Sequence, residues 1–138
     1  MRLSKSRFVA GAQCHKLLWW KVHEPGAVEL QPDKVLQDRF DQGRQVEHLA
    51  HGRFPGGRLI DLPHDAVAQR LTLTQEALRA GVPVIFEAGF LADDTFVAVD
   101  VLERLGQGFR LIEVKSSSAA KPEHIPDVAV QQSEFLRP

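Results

Sequence analysis

Three apolar runs between residues 82 and 114, separated by two short polar turns, constrain the fold of this chain more than any other feature. β-Branched and aromatic residues predominate in these runs, which is typical of strands. The turns between them carry glycine or aspartate, the residues that join antiparallel strands in tight hairpins. The segment therefore predicts a three-stranded antiparallel meander, with strands over Val82–Leu91, Phe96–Leu102 and Phe109–Val114.

The second turn fixes one pair of facing residues. If the loop is Gly106-Gln107, with glycine first as a type II′ turn requires, Leu105 pairs with Gly108. Counting back along the two strands sets Asp100 opposite Glu113. Like charges that face each other across a sheet repel, so the pair requires a reason, and a divalent cation is the simplest one.

The first turn extends the same row. A symmetric loop between Ala92 and Thr95 sets Glu87 opposite Asp100, so that Glu87, Asp100 and Glu113 follow one another across the meander. Lys115 lies two residues after Glu113 and shares its face of the strand. The alternative is an exposed hairpin with acids on its wet side, because a one-residue slip in either loop would scatter the row.

Both faces of the meander are apolar, which predicts covering layers and an α/β fold with helices on both faces. A single domain is expected over residues 1–138, with a helical part over 1–81 and the meander with a following helix over 82–138. Helical spacing and capping residues place the helices. They are expected from Ser4 or Ser6 to about Val22, from Pro32 to about His51, from about Val67 to Gly81, and from about Asp127 onward.

These segments resemble the PD-(D/E)XK nuclease superfamily, in which a strand ending in Asp is followed by a hairpin and Glu-x-Lys. Within it they are similar to the RecB-like branch, which includes the CRISPR-associated Cas-four exonucleases and related bacterial proteins. Three further segments carry the likeness, namely LSKSRFVAGAQCHKLLW, GRQVEHLAHGRFPGG and AVQQSEF, the last with Phe135 where the branch has tyrosine. Family domains continue with another strand and helix, so the resemblance implies a restriction-endonuclease-like core that is truncated at its C-terminus.

The resemblance implies a metal-dependent nuclease that hydrolyses the phosphodiester bonds of DNA. It also allows a preference for single-stranded DNA and an exonucleolytic mode of cutting. Asp100, Glu113 and the Val114 carbonyl would hold Mg²⁺ or Mn²⁺, both of which prefer oxygen ligands. Lys115 would position or deprotonate the attacking water. Glu87 would hold a second ion or a metal-bound water, and Gln131 would orient Lys115 or the substrate. His48, or Glu47 beside it, would be a further metal ligand. A helix-surface amide remains the alternative for Gln131.

Cys14 is the only cysteine of the chain. In the members of the branch that carry an iron–sulfur cluster, an early cysteine joins three late ones. Cys14 is therefore a possible cluster ligand only if the sequence is a fragment of a longer protein, and a buried thiol is the alternative. The chain could equally be the N-terminal nuclease part of that longer protein.

The charge of the chain is nearly balanced, at −1 overall, but its first 22 residues are basic and contain no acid. Lys5, Arg7 and Lys16 in this segment are candidate contacts for nucleic acid. The longest apolar run near the start, Leu17–Trp20, is too short for a signal peptide or a membrane span, so a soluble, cytoplasmic protein without membrane contact is expected. A catalytically inactive nucleic-acid-binding or regulatory module with the nuclease fold is the alternative function.

Overall fold

The computed structural model describes residues 3–136, which form an α/β fold with one mixed sheet. The strands are β1 (Leu3–Ser4), β2 (Arg58–Leu59), β3 (Val84–Ala92), β4 (Thr95–Leu105) and β5 (Gly108–Ile112). The helices are α1 (Lys5–Gln13), α2 (His15–His23), α3 (Lys34–His51), α4 (Val67–Arg79) and α5 (Ile125–Leu136). Short 3₁₀ turns lie at Val28–Leu30 and Pro122–His124. Within residues 3–136 no helix is long and apolar enough to cross a membrane.

The predicted meander and its register are confirmed. β3 pairs antiparallel with β4 with Ala92 facing Thr95, and β4 pairs antiparallel with β5 with Leu105 facing Gly108. Gly106 has a φ of +56°, which is the conformation that glycine provides at the first position of a II′ turn. Turn chemistry thus sets the alignment of all three strands.

The sheet is mixed, because β1 and β2 join the predicted antiparallel meander. β2 lies in the Arg58–Leu62 run, which the sequence allows as a short separate strand, whereas β1 is not predicted. β1 runs parallel to β4, with Leu3 facing Thr95, and β2 runs parallel to β3, with Arg58 facing Ile85. Since β3 occupies one edge of β4, β1 and β5 share the other edge, where they pair with residues 95–96 and 101–105. In the described part of the chain, residues 97–100 of β4 therefore have no strand partner on this edge.

The predicted first helix is wrong as a single element, because it is two helices that break at Cys14. Ser4 caps α1 as expected, and its hydroxyl accepts a hydrogen bond from the Arg7 backbone. Cys14 is extended, with φ −160° and ψ 119°, so that α2 turns back against α1. The break brings Leu18 against Gly11, where a Cβ atom would lie 3.0 Å from the leucine side chain. Glycine at this position allows the two helices to approach closely.

Helices α4 and α5 cover the sheet, whereas α3 is loosely held. The buried core joins Ala77 of α4 to Ile85 and Leu102 of the sheet, and Phe135 of α5 packs against its margin. None of the described residues of α3 is buried. Phe40 on α3 is 47% exposed. Helix α3 thus presents an aromatic side chain to solvent.

Candidate active site

An open cleft of about 420 Å³ separates α3 from the end of the β4–β5 hairpin. This volume lies within the range of small-molecule sites. Its sheet side contains the predicted Asp100, Glu113, Val114 and Lys115, together with Ser116. Its helix side is formed by Arg39, Phe40, Gly43, Arg44 and Glu47. The structure thus brings the Asp and the Glu-Val-Lys triplet together, as the register predicts.

Asp100 is fixed by the backbone that follows β5. The Val114 N–H donates a hydrogen bond to Asp100 Oδ2 at 2.7 Å. β5 ends at Ile112, so this N–H turns to the carboxylate and not to the sheet. Burial, together with the negative charge of Glu113, raises the pKa of Asp100 to about 6. Near neutral pH the folded protein therefore carries a carboxylate that its surroundings destabilise.

Glu113 contacts more positively charged groups than the other acids of the cleft. Lys5 Nζ lies 3.1 Å from both of its oxygens, Lys115 Nζ lies 2.7 Å from Oε1, and Gln131 Nε2 donates to Oε2 at 2.7 Å. Burial alone would raise the pKa of Glu113, but the ammonium groups of Lys5 and Lys115 outweigh it and lower that pKa. Glu113 is consequently ionised at neutral pH although its side chain is only 6% exposed.

Lys115 bridges two acids. Its ammonium group contacts Glu113 and also donates to Asp127 Oδ2 of α5 at 2.5 Å. Burial works against the charged amine, but the hydrogen bonds to Asp127 and Glu113 raise the pKa of Lys115 above its ordinary value. In this arrangement Lys115 is a fixed positive charge, so it can attract and orient an anion but cannot remove a proton from water.

Gln131 is a buried member of the cluster, so the surface-amide alternative is wrong. It is 0% exposed. Its Nε2 donates to Glu113 and to the Ala98 carbonyl at 3.0 Å, within the stretch of β4 that lacks a strand partner. Its Oε1 is buried and has no hydrogen-bond partner within residues 3–136. The glutamine thus links α5 to both the strand and the acid.

Glu87 belongs to a neighbouring group and not to the Asp100–Glu113 pair. Its backbone has a φ of +58°, which is uncommon and costly for a residue with a side chain. Its carbonyl accepts from Arg70 Nη1 at 3.0 Å, and its carboxyl shares a hydrogen bond with Glu47 of α3. Burial, and then Glu47, raise the pKa of Glu87 to about 8. Glu87 therefore keeps its proton at neutral pH.

Glu47 and His48 differ in their position relative to the cleft. Glu47 lines the cleft, hydrogen bonds to Glu87 and acts electrostatically on Asp100. His48 is exposed and lies on a separate cavity of about 420 Å³ beside Glu87. Sequence analysis could not separate them, because they are adjacent on one helix and only the packing of α3 decides which side chain faces Asp100.

The basic N-terminal residues do not form one surface. Lys5 binds Glu113 in this conformation, and its role as a nucleic-acid contact stays a prediction. Lys16 is exposed, with its ammonium group 4.9 Å from the centre of the Trp20 ring. Arg7 is half-buried. Cys14 is exposed, so the alternative of a buried thiol is also wrong.

The predicted row of three carboxylates is not part of the paired strands, because the β3–β4 ladder skips the Glu87–Asp100 pair and β5 ends at Ile112, before Glu113. Within residues 3–136 no three His, Cys, Asp or Glu side chains are grouped closely enough to hold a metal ion. Arg70 and Glu47 hold Glu87, while Lys5 and Lys115 hold Glu113. The donor chemistry nevertheless suits Mg²⁺ or Mn²⁺, because the buried Asp100 is under-compensated and the ligands are carboxylate oxygens.

Comparison of the chain with protein-family models, with curated proteins and with solved structures finds no match. The resemblance to the PD-(D/E)XK superfamily therefore depends on the residues of this sequence, and the function is argued below from the geometry of the cleft.

Proposed function

We propose that this chain is a metal-dependent nuclease that hydrolyses phosphodiester bonds of DNA in the cleft between α3 and the β4–β5 hairpin. One observation carries the proposal: Asp100 and Glu113, two half-buried acids, lie in an open cleft beside a permanently charged Lys115 and a buried Gln131. Structural acids are normally neutralised or exposed, whereas an under-compensated acid such as Asp100 in a cleft is typical of functional sites. The proposal includes a restriction-endonuclease-like arrangement of the meander and, with DNA as substrate, a cytoplasmic location.

Each residue has a defined task under this proposal. Asp100 and Glu113 provide the oxygen ligands, and the metal, when bound, lowers the pKa of a water and neutralises charge on the phosphate. Lys115 orients the phosphodiester electrostatically, because its amine stays protonated. Gln131 fixes the orientation of Glu113 through its Nε2 hydrogen bond. Glu47 and Glu87 together supply a second acidic group on the other side of Asp100.

Lys5 supports a second candidate function. Its ammonium group contacts both oxygens of Glu113 and so neutralises this carboxylate without a metal. A cluster that is balanced in this way would suit a nucleic-acid-binding or regulatory module that has the nuclease fold but no reaction. For the nuclease, metal binding must displace Lys5 from Glu113, after which its positive charge becomes available to a phosphate.

The test is cleavage of end-labelled single-stranded, nicked and duplex DNA with Mn²⁺ or Mg²⁺, and with EDTA. We expect metal-dependent cleavage that EDTA abolishes. Glu113→Gln should lose it, because the amide keeps the shape of the side chain but removes one ligand charge. Glu103→Gln is the matched control, since Glu103 lies on the same hairpin but pairs with Arg110 outside the cleft.

Circular dichroism of both variants checks that the fold is retained. If the wild type binds DNA but does not cleave it with any divalent metal, the binding module replaces the nuclease. If it neither binds nor cleaves, both functions are excluded.

A further inference from the structure

The helix side of the cleft carries an exposed ring that the proposed chemistry does not use. Phe40 is 47% exposed and lines the cleft with Asp100 and Glu113. Exposing an aromatic face to water is unfavourable, since a buried Phe gains about 1.5–3 kcal/mol. The described part of the chain covers only about half of this residue, and a ligand in the cleft would cover the rest.

Charge is divided within the cleft by depth. Its acids are half-buried, with the Glu113 side chain only 6% exposed, whereas Arg39 and Arg44 beside Phe40 are exposed. Arg39 makes no ion pair within residues 3–136, and Arg44, whose side chain is 64% exposed, pairs with Asp41. A nucleic-acid strand could place its reacting phosphate at the acids. Its neighbouring phosphates and the aromatic faces of its bases would then meet arginine side chains and the Phe40 ring at the mouth of the cleft.

Gly43 supports the same interpretation independently. Glycine inside a helix costs about 0.5–1 kcal/mol relative to alanine. Apart from its chain neighbours and the backbone of its own helix, no atom of the described residues lies within 4 Å of the position that a Cβ atom of Gly43 would occupy, so close packing does not account for this residue. Gly43 lines the cleft one turn after Phe40, where its missing side chain leaves room beside the ring.

We propose that Phe40 is the base-stacking residue of this cleft and that Gly43 keeps open the space for the nucleotide next to it. This inference builds on the proposed function, because the phosphate at the acids determines which nucleotide lies beside Phe40. Phe40 and Glu47 are seven residues apart on α3, or roughly 10 Å along the helix axis. A base stacked on Phe40 would therefore belong to a neighbouring nucleotide and not to the one whose phosphate lies at the acids.

Stacking on Phe40 requires a base whose face is free. In a duplex each base is covered by its neighbours, so the ring can reach only an unpaired strand or a frayed end. The ring therefore favours single-stranded over duplex nucleic acid, whereas Arg39 contributes to both alike through the phosphates.

The experiment measures binding of fluorescein-labelled dT12 and of a blunt duplex to the full chain by anisotropy in EDTA, together with cleavage in Mn²⁺. Base–aromatic stacking contributes about 1–3 kcal/mol per base, so we expect Phe40→Ala to weaken dT12 binding by about 5- to 150-fold and duplex binding little. Phe40→Trp should retain the affinity. Gly43→Gln should weaken dT12 binding, because its side chain fills the adjacent space.

Leu49→Ala is the matched control, because Leu49 is a 71% exposed apolar residue on the same helix but does not line the cleft. The inference is overturned if Phe40→Ala binds dT12 like the wild type, if Leu49→Ala loses as much, if duplex binding falls equally, or if the wild type does not bind dT12. Phe40-dependent binding without cleavage would instead reject the nuclease and leave the stacking role in place. If Phe40→Ala cleaves DNA like the wild type, the stacking role is rejected and the nuclease function is retained.

Discussion

Asp100→Asn should stabilise the metal-free protein at alkaline pH but much less at acidic pH. The pKa of Asp100 rises from 3.8 to about 6 on folding, mainly through burial and then through Glu113. The folded state therefore holds its proton more tightly than the unfolded state. Stability falls as pH rises from about 4 to about 6, and the full penalty is present above that range. Asparagine carries no charge, and its amide oxygen can still accept the hydrogen bond from Val114.

The magnitude follows from the shift. At 1.36 kcal/mol per pKa unit, a rise of about two units corresponds to up to about 3 kcal/mol at pH 8. The same linkage gives about 1 kcal/mol at pH 4.5, where the folded protein already holds the proton. Urea unfolding of wild type and Asp100→Asn at the two pH values measures the difference. At a slope of about 2 kcal/mol per molar urea, the midpoint should rise by up to about 1.5 M at pH 8.

Two results would refute this reasoning. If Lys5 and Lys115 already balance the acids, Asp100→Asn will destabilise the protein at pH 8. If the change in stability is the same at both pH values, the charge of Asp100 is not its cause.

Two further predictions concern the framework behind the site. Arg70→Met should destabilise the protein by about 3–5 kcal/mol. Arg70 is 3% exposed, and its loss leaves buried carbonyls, including that of Glu87, without their hydrogen-bond donor. A loss below about 1 kcal/mol in urea unfolding would contradict this prediction. Thr74→Val should cost about 1–3 kcal/mol, because the Thr74 hydroxyl accepts the Gly89 N–H at 2.9 Å in the core. Thr72→Val, an exposed position on the same helix, should change stability by less than about 0.5 kcal/mol, and equal losses for the two threonines would disprove the role of the buried bond.

The strand register could be predicted because it depends on local turn chemistry. Gly106 and the Asp93-Asp94 pair have positive φ values in the structure, as two-residue hairpin loops require. Once the loops are known, counting along the strands aligns Asp100 with Glu113. The same local reasoning placed Ser4 at the start of the first helix.

What the sequence did not reveal depends on contacts between distant segments. Lys5 reaches Glu113 across 108 positions of the chain, and Glu47 meets Glu87 only because α3 lies over the end of the meander. No periodicity reports such contacts. The unusual φ of Glu87 also has a tertiary cause, since its carbonyl faces Arg70. The two-residue strands β1 and β2 are too short to produce an alternating pattern.

The central claim is that Asp100 and Glu113 bind a divalent metal, and a Mn²⁺ titration followed by electron paramagnetic resonance tests it most directly. We expect the wild type to bind Mn²⁺ more tightly at pH 8 than at pH 6, because Asp100 must lose its proton first. Asp100→Asn and Glu113→Gln should lose this binding, whereas Glu103→Gln should keep it. A wild type that leaves all Mn²⁺ free at pH 8, or variants that bind it equally well, would contradict the account.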